Sequence, residues 1–214
     1  MNYYLKNWYK ISIFIAALVF VITLLGDFDF RAKLVLGSLA IIHLHFYEEM
    51  GYPGGFPFVG EYMELHVSDP DPRSWDLNLA TTAWGNEYFA VAVYLLALLL
   101  PQYRWMTLAV MLFAFLELVM HAVVFPIRMK FWYNPGLLTA LFGLAPLAIY
   151  YFIGNTQYHF NWLDYVLAIA WDIFNYWMAF KSPIYKRLAR LKQYSFGPES
   201  AEQSLKWLKN IYKK

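Results

Sequence analysis

The chain of 214 residues contains no cysteine. That absence removes disulfides, thiolate metal ligands, thiol nucleophiles and iron–sulfur chemistry together, so any metal site must be built from His, Asp or Glu. Charge is scarce as well, at 15% of residues, while 60% are hydrophobic and 21% aromatic. One soluble core could not hide that much apolar surface, and the composition reads as an integral membrane protein. No small-x-small cleavage site follows the first apolar run, only Gly26-Asp27-Phe28-Asp29, so Ile11–Leu25 is expected to be a retained span and not a secretory leader. Internal repeats are not evident. Gly51-Tyr52-Pro53-Gly54-Gly55 lacks the strand, lysine and helix context of a phosphate loop, and nothing indicates nucleic acid.

Six runs approach the roughly 20 helical residues needed to cross about 30 Å of hydrocarbon. They are Ile11–Leu25, Leu34–Glu49, Leu79–Leu100, Met106–Ile127, Gly136–Gly154 and Phe160–Phe180. Mostly short connections predict an all-α, polytopic bundle of about six transmembrane helices over residues 1–180. With both termini cytoplasmic, fourteen Lys and Arg fall inside and three (Arg31, Lys33, Arg104) outside, as the positive-inside rule requires, although nine of the fourteen follow Phe180. Residues 181–214 form a basic tail in which Leu205, Leu208, Ile211 and Tyr212 recur at helical spacing among lysines. This pattern fits a helix lying on an anionic lipid surface, and equally a solubilising tail. The long connection Met50–Asn78 holds most of the acidic surface residues, Glu61 among them, yet with Phe56, Phe58, Tyr62 and Trp75 it is too aromatic for a solvated linker. An interfacial lid or re-entrant segment is expected there.

Polar residues inside apolar runs carry the functional signal, because ionisable groups in a membrane are costly. His45 and Glu48 are three apart and His45 and Glu49 four apart, so one imidazole shares a helix face with both carboxylates. Glu117 and His121 are four apart in the fourth run, and Asn86 and Glu87 lie two turns into the third. Under the proposed topology all of these ionisable groups fall in the cytoplasmic half of the membrane. His43 reads as a packing histidine, His66 and His159 as solvated, and Asp172 as a proton-relay member or a partner for an inward cation.

His45-Phe46-Tyr47-Glu48-Glu49 matches the motif of the HXXEE-domain membrane proteins of bacteria and archaea, and the chain resembles that family over roughly Leu34 to Tyr150. The Pro53-Gly54-Gly55-Phe56-Pro57 segment, the Glu117/His121 helix and Tyr133-Asn134-Pro135-Gly136-Leu137-Leu138-Thr139-Ala140 resemble its later landmarks. The resemblance implies a polar intramembrane site without an assigned activity; the apolar runs and charge bias lead to the expectation of a multi-pass protein of the bacterial inner membrane.

Two histidines and several glutamates without sulfur admit Zn, Fe or Mn. The expected arrangement is a divalent metal held by His45, Glu48, Glu117 and His121, with Glu49 or Glu87 as general base. Asn86 and Asn134 would orient ligands or stabilise an oxyanion. A zinc held by His45, His121 and one carboxylate, with another Glu as base, is the hydrolytic version. The expected function is therefore a metal-dependent membrane enzyme acting on a lipid-like or apolar substrate. A small proton-coupled transporter using the same carboxylates, or a metal-free Glu/His isomerase, also fits the residues.

Overall fold

A computed structural model describes residues 2–155 and 158–212, with no strand among them. The helices are α1 (Asn2–Leu25), α2 (Phe30–Met50), α3 (Phe56–Glu64), α4 (Leu79–Leu99), α5 (Arg104–Met129), α6 (Leu137–Gly154), α7 (Trp162–Phe180), α8 (Pro183–Ala189) and α9 (Pro198–Leu208). Their starts follow from capping chemistry. Asp29 accepts from the Ala32 amide at the head of α2, and Asn78 with Thr81 and Asn161 with Asp164 form reciprocal capping boxes on α4 and α7. Ser182 caps α8 ahead of a proline whose missing N–H costs nothing in the first turn.

Among the described residues four helices, α1, α4, α5 and α6, are long and apolar enough to cross a membrane. The six expected spans are all helical, but α2 and α7 are too polar to pass by composition. The reason is position. α2 packs against α1, α4, α5 and α6 and buries most of its length, so protein rather than lipid surrounds Arg31, His43, His45, Glu48 and Glu49. Arg31 donates to the Ala97 carbonyl at 2.9 Å and to Thr107 Oγ1 at 3.1 Å. α7 buries Ala168, Asn175 and Ala179 on one side and exposes Trp162, Ile173 and Phe174 on the other. On α1 the exposed face is apolar, with Phe14, Leu18 and Leu24 outward, as lipid contact demands.

Three helices are interrupted by π-helical turns, at Ala90–Leu95, Met120–Val124 and Ala140–Leu144. Such turns shift the register of side chains beyond them and recur at functional sites. The second contains His121.

The Met50–Asn78 connection is a folded cap. α3 sits at the ends of α2 and α5, and buried Trp75 stacks on Phe58 with ring centroids 5.1 Å apart. Glu61, expected at the surface, is fully buried and accepts a short hydrogen bond from the Leu77 amide, which ties the returning loop to α3. The basic tail also departs from expectation. Leu208 is completely buried, Leu205 and Ile211 pack on the core, and Trp207 Nε1 donates to the Gly54 carbonyl at 2.9 Å. Ser204 Oγ hydrogen-bonds the Gly55 carbonyl. The apolar stripe, which fitted a lipid surface and a solubilising tail equally, thus packs on the protein's own glycine turn, while Lys206 and Lys209 stay exposed.

Candidate metal centre

The site is assembled from two i,i+4 pairs on two helices. On α2 His45 Nε2 is 3.5 Å from Glu49 Oε1, and on α5 His121 Nε2 is 3.3 Å from Glu117 Oε2. The crossed contacts close the group: His45 Nε2 to Glu117 Oε2 is 3.5 Å and His121 Nε2 to Glu49 Oε1 is 3.6 Å. The imidazoles meet edge to face at a centroid distance of 4.9 Å, and both are buried. His45, Glu117 and His121 could hold a metal ion, since their ligand atoms all lie within 4.8 Å of one another.

These spacings are informative. A charge-assisted N–H···O bond is about 2.7–2.9 Å long, shorter than any of the four contacts. Two ligand atoms each 2.0–2.1 Å from a tetrahedral metal lie about 3.3–3.4 Å apart, near the contacts of Glu117 with His45 and His121.

The other face of each ring fixes its tautomer. Asn134 Nδ2 donates to the His121 carbonyl at 2.7 Å, so the Asn134 Oδ1 facing His121 Nδ1 must accept. Nδ1 therefore donates to Asn134, which leaves Nε2 as the ring nitrogen turned to the cluster. On His45 the partner of Nδ1 is Thr139 Oγ1, at 2.8 Å. That hydroxyl donates onward to Glu48 Oε2 at 2.6 Å, so it too accepts from the ring. The result is a relay, His45 to Thr139 to Glu48, of the kind that orients and strengthens metal-binding imidazoles.

Glu48 stands apart from the cluster for a clear reason. Its oxygens also accept from the Leu138 amide at 3.1 Å, the Thr139 amide at 2.9 Å and the Tyr133 hydroxyl at 3.1 Å. A carboxylate at the exposed amides of a helix N-terminus is favourably placed. Expected as a ligand, Glu48 caps α6 instead and acts on His45 through Thr139. Gly136 lies between the two rings with φ +102°, and a Cβ there would stand 2.3 Å from His121 Cε1 and 2.7 Å from His45 Cε1. Only glycine fits. Phe56 from α3 packs on His121 at 5.9 Å, closing the cap over the site.

The cluster opens into a mostly apolar cavity of about 540 Å³ between α2, α4, α5 and α7. Asn86 lines it, as do Asp172, Tyr176 and Lys181. Asn86 thus faces the same space as the cluster without touching it. Asp172 Oδ1 is buried with no hydrogen-bond partner. Glu64, exposed at the end of α3, also lines the cavity. Glu87, expected as a general base, is elsewhere. It turns to the opposite side of α4, where Oε2 is 3.7 Å from His43 Nε2. Thr139, Glu64 and Lys181 were not singled out by the sequence. A hydroxyl following Asn134-Pro135-Gly136 is the one signal that marked Thr139.

Residues 36–151, more than half of the chain, match the family described as a protein of unknown function with HXXEE motif. No curated protein and no solved structure matches the chain. His45, Glu48 and Glu49 occupy the motif's three named positions, and the chain belongs to the HXXEE family.

Proposed function

We propose that the chain is a metal-dependent integral-membrane enzyme acting on a lipid-like or apolar substrate. The observation that carries this reading is the convergence of His45 Nε2, His121 Nε2 and Glu117 Oε2, with Glu49 in contact with both rings. Two imidazoles and one carboxylate leave a coordination position open, as catalytic sites do, and Glu49 is placed to serve as general base. The donor set is nitrogen and oxygen, which suits Zn, Fe or Mn. When bound, such a metal supplies a Lewis acid and an activated water near neutral pH. The chain's own residues orient it: Thr139 and Asn134 hold the imidazoles, Glu48 anchors Thr139, and the apolar walls exclude bulk water. The cavity volume lies in the range of small-molecule sites, and its lining by Ile42, Phe89, Phe113, Leu116 and Ile173 suits an acyl-like body.

The reading includes six spans with both termini cytoplasmic in the cell's inner membrane, α2 as a span surrounded by protein and α7 as a half-lipid-facing one. Lys206 and Lys209, left outward by the docked tail, are available to anionic lipid headgroups.

The test is turnover in bilayer discs of mixed phospholipids loaded with zinc, iron or manganese, with fatty acid and headgroup release followed by mass spectrometry. Wild type forms product; Glu49→Gln keeps the metal and loses product, and His45→Ala loses both. Product formation that survives both substitutions overturns the proposal.

A further inference from the structure

A second cavity, of about 730 Å³, lies between α1, α4 and the segment that follows α8, away from the metal centre. Its walls are aromatic: Tyr4, Trp84, Tyr88 and Tyr194 line it around Glu87. Trp84 and Tyr88 are parallel neighbours, with centroids 5.2 Å apart and planes 22° from parallel. Their polar atoms are committed to α7, Trp84 Nε1 to the Met178 carbonyl at 3.3 Å and Tyr88 Oη to Asn175 Oδ1 at 2.8 Å. The rings themselves are what they offer to the cavity.

Glu87 is the charged group, and its Oε1 is buried without a hydrogen-bond partner. The groups facing it are the Tyr4 hydroxyl from α1 and His43 from α2. His43 Nδ1 lies 2.8 Å from the Leu39 carbonyl, which can only accept, so the proton is on Nδ1. The other ring nitrogen, Nε2, faces Glu87 Oε2 across 3.7 Å, too far for a hydrogen bond. No lysine or arginine is among the described residues lining the cavity. A carboxylate with no lysine or arginine beside it, walled by aromatic faces, is the chemistry that recognises an ammonium group.

We propose that this cavity binds an ammonium head, quaternary or primary, against Trp84 and Tyr88 with Glu87 as its counter-charge. Leu5, Val91, Leu188 and Leu191 complete an apolar margin suited to the part of the molecule that carries the head. The source is a zwitterionic lipid headgroup or a free amine. Nothing in this proposal depends on the metal centre.

The experiment titrates the purified full chain with tetramethylammonium and with the neutral carbon isostere of choline, by ligand-observed NMR, beside Glu87→Gln and Trp84→Leu variants checked for an unchanged melting profile. In parallel, native mass spectrometry records which lipids the wild type and variants retain from mixed phosphatidylcholine, phosphatidylethanolamine and phosphatidylglycerol. Binding of the cation but not the isostere, weakened on the order of tenfold or more in Glu87→Gln, supports the site. Glu87-dependent retention of phosphatidylcholine or phosphatidylethanolamine assigns it to a lipid; cation binding without such retention assigns it to a free amine. If neither the cation nor a zwitterionic lipid is bound in a Glu87-dependent way, the proposal is overturned.

Discussion

Gly136→Ala places a single methyl group between the two imidazoles and reads the site more sharply than removal of a ligand. The added carbon would stand 2.3 Å from His121 Cε1, 2.7 Å from His121 Nδ1 and 2.7 Å from His45 Cε1, all well inside contact distance. Both rings must move, and each is held on its far side, His121 by Asn134 and His45 by Thr139. The backbone adds its own cost, because φ +102° is a region that costs a residue with a Cβ on the order of 1–3 kcal/mol. Overpacking costs a further ~1–3 kcal/mol, so the native arrangement loses roughly 2–6 kcal/mol in all. Any part of it relieved by swinging an imidazole out appears as lost metal affinity, about tenfold for each 1.4 kcal/mol. Chelator competition in detergent, with thermal unfolding as the companion measurement, is expected to show metal binding weakened roughly thirtyfold or more when the rings take up at least the lower ~2 kcal/mol of that range. An alanine variant with wild-type metal affinity and stability would refute the placement of Gly136 between the rings.

Thr139→Val removes the hydroxyl between His45 and Glu48 while keeping the side chain's shape; metal affinity is expected to fall about 10–100-fold, with Thr139→Ser restoring it. Chelator competition checks both. The Glu61 carboxyl is pushed up by burial from 4.5 to about 7. Its contribution is therefore full below pH 4.5 and lost as pH rises through about 7, with a slope of at most about 1.4 kcal/mol per pH unit. Chemical denaturation across that window is expected to show the decline, and Glu61→Gln to flatten it. Leu208→Ala hollows the docked tail at a fully buried position and costs about 2–5 kcal/mol of docking. Limited proteolysis beyond Gly197 is expected to accelerate, whereas a tail held by lipid alone would be cleaved at an unchanged rate.

The members of the cluster were legible because ionisable residues stand out inside apolar runs and because spacing of four pairs His45 with Glu49 and Glu117 with His121 without any tertiary knowledge. Spacing could not choose between Glu48 and Glu49, since positions three and four along both share a face with His45. The choice was made by the amides opening α6, a partner ninety residues away. Glu87 was misplaced for the same reason: its burial in an apolar run was visible, but the direction it faces depends on how α4 packs. The tail shows a different ambiguity. An apolar stripe among lysines fits any apolar surface, and the two glycines at Gly54 and Gly55 made a protein surface flat enough to receive it. Hydropathy likewise leaves α2 outside the four apolar helices, because a helix enclosed by other helices needs no apolar outer face.

The most direct test of a metal centre at His45, Glu117 and His121 is the metal content of detergent-purified protein by inductively coupled plasma mass spectrometry, beside His45→Ala and His121→Ala. About one equivalent of a single transition metal, lost in both variants, is the expected result for one tetrahedral site. Folded protein without stoichiometric metal, unchanged after incubation with Zn, Fe or Mn, would contradict it and leave the four side chains as a proton-sharing cluster.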